Sequence, residues 1–198
     1  MLKPGEILNG TYRIEEKIGA GGGGEVYRAY HERLQCDVVV KQIKENVKGI
    51  IEGRAEDDIM KSLKHTYLPR VYDFLEIDGE VYTVMDFIPG KNLSQEIKSG
   101  RVFTEEEVLK WMHQLAEALS YLHALNPPVI HSDIKPANIM LTLENNICLI
   151  DFNISLAFDK NLRTSTGISG GYSAPEQYNN IAKYVSSAIE GTVPQFDT

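Results

Sequence analysis

The chain has 198 residues and a formal net charge of −8, with 42% hydrophobic and 24% charged residues. A chain of this size and composition can bury a substantial core, so we expect a soluble globular protein and not a disordered one. The acidic surplus argues against nucleic acid or an anionic membrane as the main partner, because both carry negative charge.

The cysteines and the N-terminal residues indicate the cellular compartment of the protein. Cys36 and Cys148 are far apart, match no metal-binding spacing and lie in apolar runs, where free cysteine behaves as a small hydrophobe. Residues 1–10 lack the pattern of a signal peptide, and no stretch approaches the roughly 20 apolar residues of a membrane span. We therefore expect a reduced, cytoplasmic protein.

The first half of the chain is predicted to form an antiparallel sheet. Asp78-Gly79 suits a two-residue hairpin, since both turn positions can take positive φ. A helical pattern over 50–64 interrupts the strands. Turn residues separate five β-type runs, which are Tyr12–Ile18, Val26–Tyr30, Asp37–Ile43, Val71–Ile77 and Val81–Phe87.

Beyond the Pro-Gly break at 89–90 the pattern becomes helical. Thr104 and Glu107 have the spacing of a capping box, and the apolar residues over 108–122 keep a helical period. Asn-Pro-Pro at 126–128 ends this helix. A loop and a short hairpin follow, with predicted strands over 139–143 and 146–150.

The segment 131–153 carries the clearest chemistry. It contains H-S-D-I-K-P-A-N at 131–138, followed after eleven residues by I-D-F-N at 150–153. Phosphoryl transfer from a nucleotide needs a carboxylate beside the acceptor hydroxyl, a cation beside the moving phosphoryl group and ligands for Mg²⁺. Asp133, Lys135, Asn138 and Asp151 supply these groups in that order.

A glycine-rich turn lies between the first two predicted strands. Gly19, Gly21 and Gly24, followed by Val26, match G-x-G-x-x-G-x-V, and glycines let backbone N–H groups approach phosphates because no Cβ intervenes. By itself this pattern is equally typical of a flexible hairpin turn. Lys41 ends the run V-V-V-K at 38–41, and a lone lysine in such a place is typically a solvated surface residue.

Together these motifs resemble the catalytic domain of Ser/Thr protein kinases of the bacterial type. The two parts of 131–153 are similar to the catalytic loop and the D-F-G segment, and Ala-Pro-Glu at 174–176 is similar to A-P-E. Ser132 stands in place of arginine, and Asn153 in place of glycine. The resemblance runs from residue 12 to about residue 184.

The resemblance implies an α+β, protein-kinase-like fold of two lobes. Residues 1–88 would form an N-lobe with a five-stranded antiparallel sheet and one helix. Residues 89–184 would form a mainly helical, incomplete C-lobe, and residues 185–198 a divergent tail. The chain would then be a kinase domain truncated after A-P-E, with activity impaired because the family's later helices are missing.

The resemblance also assigns roles in the chemistry. Asp133 would accept the proton of the acceptor hydroxyl, or at least orient that hydroxyl, and Lys135 would neutralise charge on the transferred phosphoryl group. Asn138 and Asp151 would bind Mg²⁺. Ser169 falls where the family places a hydroxyl residue that touches the catalytic aspartate and lysine, which points to Ser/Thr acceptors in protein substrates.

The remaining implied site residues would bind ATP. Lys41 would pair with the α and β phosphates and with Glu56, for which Asp57 is the competing candidate. The glycine loop, the adenine pocket and the hinge supply the rest, namely Ile18, Gly19, Gly21, Gly24, Val26, Val39, Met85, Asp86, Ile88 and Met140. Met85 would be the gatekeeper, and the main-chain groups of Asp86 and Ile88 would read adenine.

Two departures of the chain bear on its regulation and its partners. Because Ser132 replaces arginine, the guanidinium that usually binds a loop phosphate is missing, so activation by phosphorylation at 164–166 is not expected. The helix over 108–122 is expected to keep an exposed apolar face, which typically marks an interface. We therefore expect a homodimer through this face of the C-lobe.

Two other interpretations of the sequence stay open. One is a small-molecule kinase of the aminoglycoside or choline type, whose H-G-D-x-x-x-x-N loop is similar to residues 131–138. The other is a nucleotide-binding scaffold without catalysis. Lys135 and the A-P-E motif favour the protein kinase over the small-molecule kinase.

Overall fold

The structure of the chain, a computed structural model, describes residues 1–21, 24–43, 61–126, 128–151, 169 and 171–173. The described part of its N-lobe forms one antiparallel sheet of six strands. These are β1 (Ile7–Leu8), β2 (Tyr12–Gly21), β3 (Gly24–His31), β4 (Cys36–Ile43), β5 (Val71–Ile77) and β6 (Glu80–Asp86). Their spatial order is β1-β2-β3-β4-β6-β5, which places β5 at one edge of the sheet.

Most of this sheet follows the predicted pattern, but the predicted count of five strands is wrong. β5 has the predicted bounds, and Asp78 (φ 52°) and Gly79 (φ 74°) form the predicted turn between β5 and β6. The additional strand β1 pairs with β2, with Ile7 opposite Arg13. Two residues are too few to show an alternating pattern. The helical pattern over 50–64 lies almost wholly outside the described residues.

The two faces of the sheet have different surroundings. Side chains alternate along a strand, so Val38 and Val40, both 0% exposed, enter the core of the N-lobe. Val39 and Lys41 lie on the other face. Met85, opposite Val39, packs against the core of the second lobe. This face of the sheet therefore looks onto the second lobe.

The C-lobe combines helices with a small sheet. The helices are α1 (Leu93–Lys98) and α2 (Glu105–His123), and the sheet has the order β7 (Lys91–Asn92), β8 (Ile139–Leu141) and β9 (Ile147–Leu149). A 3₁₀ turn over Pro136–Asn138 leads into β8. The described part of this lobe is thus less helical than expected, and within it no helix is long and apolar enough to cross a membrane.

The predicted capping box at the start of α2 is confirmed. Thr104 Oγ1 accepts a hydrogen bond from Glu107 N at 3.2 Å, and Glu107 Oε2 accepts one from Thr104 N at 3.0 Å. These bonds satisfy backbone donors that a helix leaves unpaired in its first turn. The helix then buries one stripe of side chains, formed by Trp111, Gln114, Ala118 and Leu122.

Replacing Thr104 with alanine should lower the free energy of unfolding by about 1 kcal/mol, the usual cost of losing an N-cap side chain. Urea denaturation of the wild type and the variant measures this difference. Thr66→Ala is the control, because Thr66 is an exposed threonine outside any helix or strand. Equal losses in both variants would contradict the capping role.

Helix α2 is attached to the turn between β8 and β9 by buried polar side chains. Gln114 donates to Asn146 Oδ1 at 2.7 Å and accepts from the N–H of Ile147 at 2.9 Å. The Trp111 indole donates to the carbonyl of Asn145 at 3.2 Å. Since Gln114 is only 5% exposed, these paired groups fix the helix against the hairpin. The loop that joins α2 to β8 is therefore held at both ends.

The connection between the lobes passes very close to β8. Gly90 has φ +134°, and a Cβ at this position would lie 2.0 Å from the carbonyl oxygen of Leu141. No residue other than glycine fits such an approach without moving the backbone. The Pro-Gly break seen in the sequence thus fixes where the chain enters the C-lobe.

Candidate active site

The loop between α2 and β8 is anchored by a buried histidine. His131 is 1% exposed, and its Nε2 lies 2.9 Å from the carbonyl oxygen of Ile150. Because a carbonyl oxygen only accepts, we place the proton on Nε2, which leaves Nδ1 to accept from the N–H of Asp133 at 3.4 Å. Burial lowers the pKa of the His131 imidazole. A neutral histidine thus joins the loop to the end of β9.

Asp133, Lys135 and Ser169 form a closed triangle of polar contacts. Asp133 Oδ2 lies 2.7 Å from Lys135 Nζ, and its Oδ1 accepts from Ser169 Oγ at 2.7 Å. Lys135 Nζ also donates to Ser169 Oγ at 2.8 Å. This is the contact between serine, aspartate and lysine that the sequence resemblance implied, and it orients the Asp133 carboxylate.

The protonation state of Asp133 follows from its surroundings. Burial opposes the charged form, but hydrogen bonds from Lys135, Ser169 and Asn138 outweigh it and lower the pKa of Asp133 below its ordinary value of 3.8. The carboxylate is therefore ionised at neutral pH. A carboxylate of low pKa is a weak proton acceptor, so its geometry suits orienting a hydroxyl and stabilising charge.

Asn138 is held with one face of its amide turned to Asp133. Its Nδ2 donates to the main-chain carbonyl of Asp133 at 2.8 Å and to the carboxylate at 3.0 Å. The side chain is 4% exposed, so its orientation is fixed by these bonds. The amide oxygen Oδ1 remains as the atom that can bind a cation.

Lys41 and Asp151 join the two lobes. Lys41 Nζ on β4 lies 2.5 Å from Oδ1 of Asp151, which follows β9. Asp151 takes a left-handed conformation, with φ 63°. The N–H of Ile150 donates to the carbonyl of Asn138 at 2.9 Å, so Asp151 is next to a residue bonded to the catalytic loop. Glu56, the predicted partner of Lys41, lies outside the described residues.

The predicted nucleotide-pocket residues lie on strands of both sheets. Val26 is opposite Lys41 on neighbouring strands, and Val39 is opposite Met85. Met140 alternates with the buried residues of β8 and is half-buried. Ile18, the first residue of the glycine loop, is 45% exposed. Val26, Val39 and Lys41 thus share one face of the N-lobe sheet.

Where the glycine loop leads into β3, the backbone of β3 comes very close to the backbone of β4. Gly19 lies opposite Val26, and Gly21 opposite Gly24. Gly24 has φ +125°, and a Cβ there would lie 2.0 Å from the carbonyl oxygen of Gln42. Glycine is therefore required at Gly24 by the fold itself, apart from any contact with phosphate.

The predicted hinge begins where β6 ends. Asp86 is the last residue of β6, and its N–H donates to the carbonyl of Arg70 at 3.0 Å. Ile88 lies in the extended stretch that follows. Within the described part of the chain, no hydrogen bond engages the main-chain N–H of Ile88. This donor is therefore available to a ligand.

Two of the described residues carry side-chain oxygens of the kind that bind Mg²⁺. Mg²⁺ in nucleotide sites takes one or two protein ligands and keeps waters and phosphate oxygens in its other positions. Asp151 offers a carboxylate and Asn138 an amide oxygen. Among the described residues, no group of three or more His, Cys, Asp or Glu side chains is arranged so that it could hold a metal ion, so a cage made wholly of protein is not found there.

Some predicted positions cannot be compared with the structure. The A-P-E residues 174–176, Asn153 and the hydroxyl residues over 164–166 lie outside the described residues. Ser132 is described and takes a left-handed conformation, with φ 62°. Sequence reasoning missed one further feature, the hydrogen bond from the Tyr72 hydroxyl to the Asp86 side chain, because it depends on a bulge in β5.

Comparison with known proteins agrees with this geometry. Residues 12–189 match the family described as the protein kinase domain, so the chain belongs to the protein kinase domain family. A probable serine/threonine-protein kinase of Bacillus subtilis, YbdM, is 36% identical over 159 residues, which are 78% of this chain and 61% of the relative. A probable serine/threonine-protein kinase of Clostridium acetobutylicum is 32% identical over 89% of this chain and 28% of that protein.

A solved structure supports the same fold. The kinase domain of Mycobacterium tuberculosis PknI superimposes with a TM-score of 0.68 and 27% identity, over 79% of this chain and 63% of that one. The predicted protein-kinase-like fold and the membership of the bacterial Ser/Thr type are therefore confirmed. The chain spans less than two thirds of the length of these relatives.

Proposed function

We propose that the chain transfers the γ-phosphoryl group of ATP to Ser or Thr hydroxyls of protein substrates. The observation that supports this most directly is the triangle of Asp133, Lys135 and Ser169. Asn138 donates to Asp133 and accepts at its carbonyl from the N–H of Ile150, which directly precedes Asp151, the partner of Lys41. A group for the acceptor hydroxyl and a cation for the phosphates thus belong to one connected site.

The proposed mechanism depends mainly on positioning and charge. Asp133 accepts a hydrogen bond from the acceptor hydroxyl and orients its oxygen for attack. Lys135 stabilises negative charge on the transferred phosphoryl group, and Ser169 holds Asp133 and Lys135 in register. Asn138 Oδ1 and the Asp151 carboxylate would hold Mg²⁺, which would supply further positive charge at the phosphates when bound.

ATP would lie between the sheet and β8 in this proposal. Val26 and Val39 on one side and Met140 on the other provide apolar surfaces for a purine ring. The main-chain N–H of Ile88 is available to pair with the edge of the ring. Lys41 then reaches the phosphates from β4, on the same face of the sheet.

The first test of this proposal is ligand binding. ATP with Mg²⁺ should raise the midpoint of thermal unfolding, because a ligand at 100 times its Kd stabilises the folded state by about 2.7 kcal/mol. ATP without Mg²⁺ should raise it less. A midpoint that is unchanged at millimolar MgATP would rule out the proposed nucleotide site.

The class of acceptor needs a separate test. The small-molecule alternative predicts transfer of radiolabel to aminoglycosides or choline, and the protein kinase predicts transfer to a generic basic protein. The contact of Lys135 with Ser169 favours the protein acceptor, because the resemblance ties this pair to Ser/Thr kinases. A scaffold without catalysis would bind ATP and label neither acceptor.

We also propose that two copies of the chain associate through α2. Met112 and Leu109 on α2 are 62% and 58% exposed. Beside them lies an apolar groove, which is lined by Leu93, Phe103, Val108, Trp111, Met112, Leu115, Ile139 and Ile147. A face with both a protruding apolar side chain and an apolar groove can complement a second copy of itself.

Met112→Lys should shift the chain from dimer to monomer, because the new charge would be buried in the proposed interface. Sedimentation velocity at micromolar concentration measures the effect. Leu143→Lys is the control, since Leu143 is 78% exposed and does not line the groove. A wild type that sediments as a monomer would contradict the proposal.

A further inference from the structure

Strand β5 contains a bulge beside the end of β6, where the predicted hinge begins. Val71 is opposite Met85 and Asp73 is opposite Val84, so Tyr72 is an extra residue in β5. A bulge turns the side chain of the extra residue away from the regular alternation. The Tyr72 hydroxyl reaches the side chain of Asp86 and donates to its Oδ1 at 2.6 Å.

Both oxygens of the Asp86 carboxylate are engaged. Oδ1 accepts from Tyr72, and Oδ2 accepts from the N–H of Arg70 at 2.8 Å. The N–H of Asp86 in turn donates to the carbonyl of Arg70 at 3.0 Å. Three hydrogen bonds therefore fix Asp86 at the end of β6, where the chain leaves the sheet toward Ile88.

The Tyr72 hydroxyl is a dependable donor in this position. Burial and the hydrogen bond to Asp86 raise the pKa of the phenol, so it keeps its proton at neutral pH. Hydrogen bonds to a charged acceptor are short and stronger than those between neutral groups. The orientation of the first hinge residue thus depends on a side chain that lies outside the cleft.

We propose that Tyr72 is a positioning residue for the adenine ring and acts through the Asp86 carboxylate on the main chain of residues 86–88. This inference rests on the proposed binding of ATP at the hinge. Tyr72 itself touches no substrate in this scheme. Loss of the Tyr72 hydroxyl would let the end of β6 move. The main-chain groups proposed to pair with adenine would then be displaced.

The chain offers a matched control in the same sheet. Tyr12 is also a buried tyrosine that donates to an aspartate, with its hydroxyl 3.4 Å from Asp73 Oδ2. Neither Tyr12 nor Asp73 belongs to the hinge. Tyr12→Phe removes the same hydroxyl group as Tyr72→Phe, but it should leave the hinge in place.

The experiment compares two probes that report on different parts of the site. Adenosine carries the adenine ring without phosphates, and tripolyphosphate with Mg²⁺ carries the phosphates without adenine. Calorimetry gives the Kd of each probe for the wild type, Tyr72→Phe and Tyr12→Phe. We expect Tyr72→Phe to raise the Kd of adenosine by about 3- to 10-fold, which corresponds to part of the free energy of a hydrogen bond to a charged group. The Kd of tripolyphosphate should change by less than about twofold. Tyr12→Phe should change neither.

The outcomes separate this inference from the proposed function. If the wild type binds neither adenosine nor MgATP, the proposed function fails. If the wild type binds adenosine and Tyr72→Phe binds it equally well, or loses both probes alike, the positioning role is wrong. Should Tyr72→Phe fail to fold, Asp86→Ala replaces it, because the shortened side chain can no longer accept the hydrogen bond from the Tyr72 hydroxyl. The same selective loss of adenosine is then expected, and its absence overturns the proposal.

Discussion

Asp133→Asn is expected to lower the rate of phosphoryl transfer to a protein substrate by about 10²- to 10³-fold, the usual cost of removing one preorganised charged group at the reacting centre. Asparagine has the shape of aspartate but lacks its charge. It can no longer form an ion pair with Lys135, and it accepts more weakly from the acceptor hydroxyl. Transfer of radiolabel from ATP measures the rate.

Binding of MgATP should survive the Asp133→Asn change, because Asp133 is proposed to act on the acceptor and not on the nucleotide. The thermal shift with MgATP should therefore stay close to that of the wild type. Asp73→Asn is the matched control, since Asp73 pairs with Lys61 at 3.1 Å on the outer part of the N-lobe. A transfer rate that is unchanged in Asp133→Asn would contradict the proposed role of Asp133, and equal background rates in the wild type, Asp133→Asn and Lys41→Met would leave only the scaffold interpretation.

The parts of the fold that the sequence predicted well have strong local signals. The turn at Asp78-Gly79 needs two residues with positive φ, and Asp-Gly is one of the few pairs that provide them. The start of α2 is set by Thr104 and Glu107, whose side chains satisfy backbone donors within one turn. In such places a few neighbouring residues decide the conformation.

The contacts of the candidate site needed more than local signals. Ser169 lies 34 residues after Lys135, and the resemblance to a family brought them together before the structure did. The pair of Lys41 and Asp151, which are 110 residues apart, was expected only as two ligands of one nucleotide. A direct contact between distant side chains depends on how the two lobes pack, which spacing along the chain does not determine.

The bulge at Tyr72 shows why some positioning features escape sequence reasoning. The run from Val71 to Ile77 looks like a regular strand, and the structure gives it those same bounds. The extra residue appears only in the pairing with β6, because a bulge is a property of two strands and not of one. Its effect on Asp86 therefore could not be predicted from either strand by itself.

Lys41→Met is expected to lower kcat/KM for ATP by roughly 10- to 150-fold, because a hydrogen bond to a charged group is worth about 1.5–3 kcal/mol. The Lys41 side chain is 14% exposed and lies beside the Asp151 carboxylate between the lobes. Methionine has a similar length but carries no charge. The variant would then have no cation on β4 to bind the phosphates, and Asp151 would lose its ion-pair partner.

Lys61→Met is the matched control for this change. Lys61 is in the same lobe and also pairs with a carboxylate, that of Asp73, but its side chain is 39% exposed and the pair lies away from the cleft. An exposed pair of this kind contributes little to stability, so Lys61→Met should leave kcat/KM within about twofold of the wild type. The thermal shift with MgATP should shrink in Lys41→Met and persist in Lys61→Met. If kcat/KM decreases to the same extent in both variants, the effect comes from a general change in charge or stability. The proposed binding of the phosphates by Lys41 is then wrong.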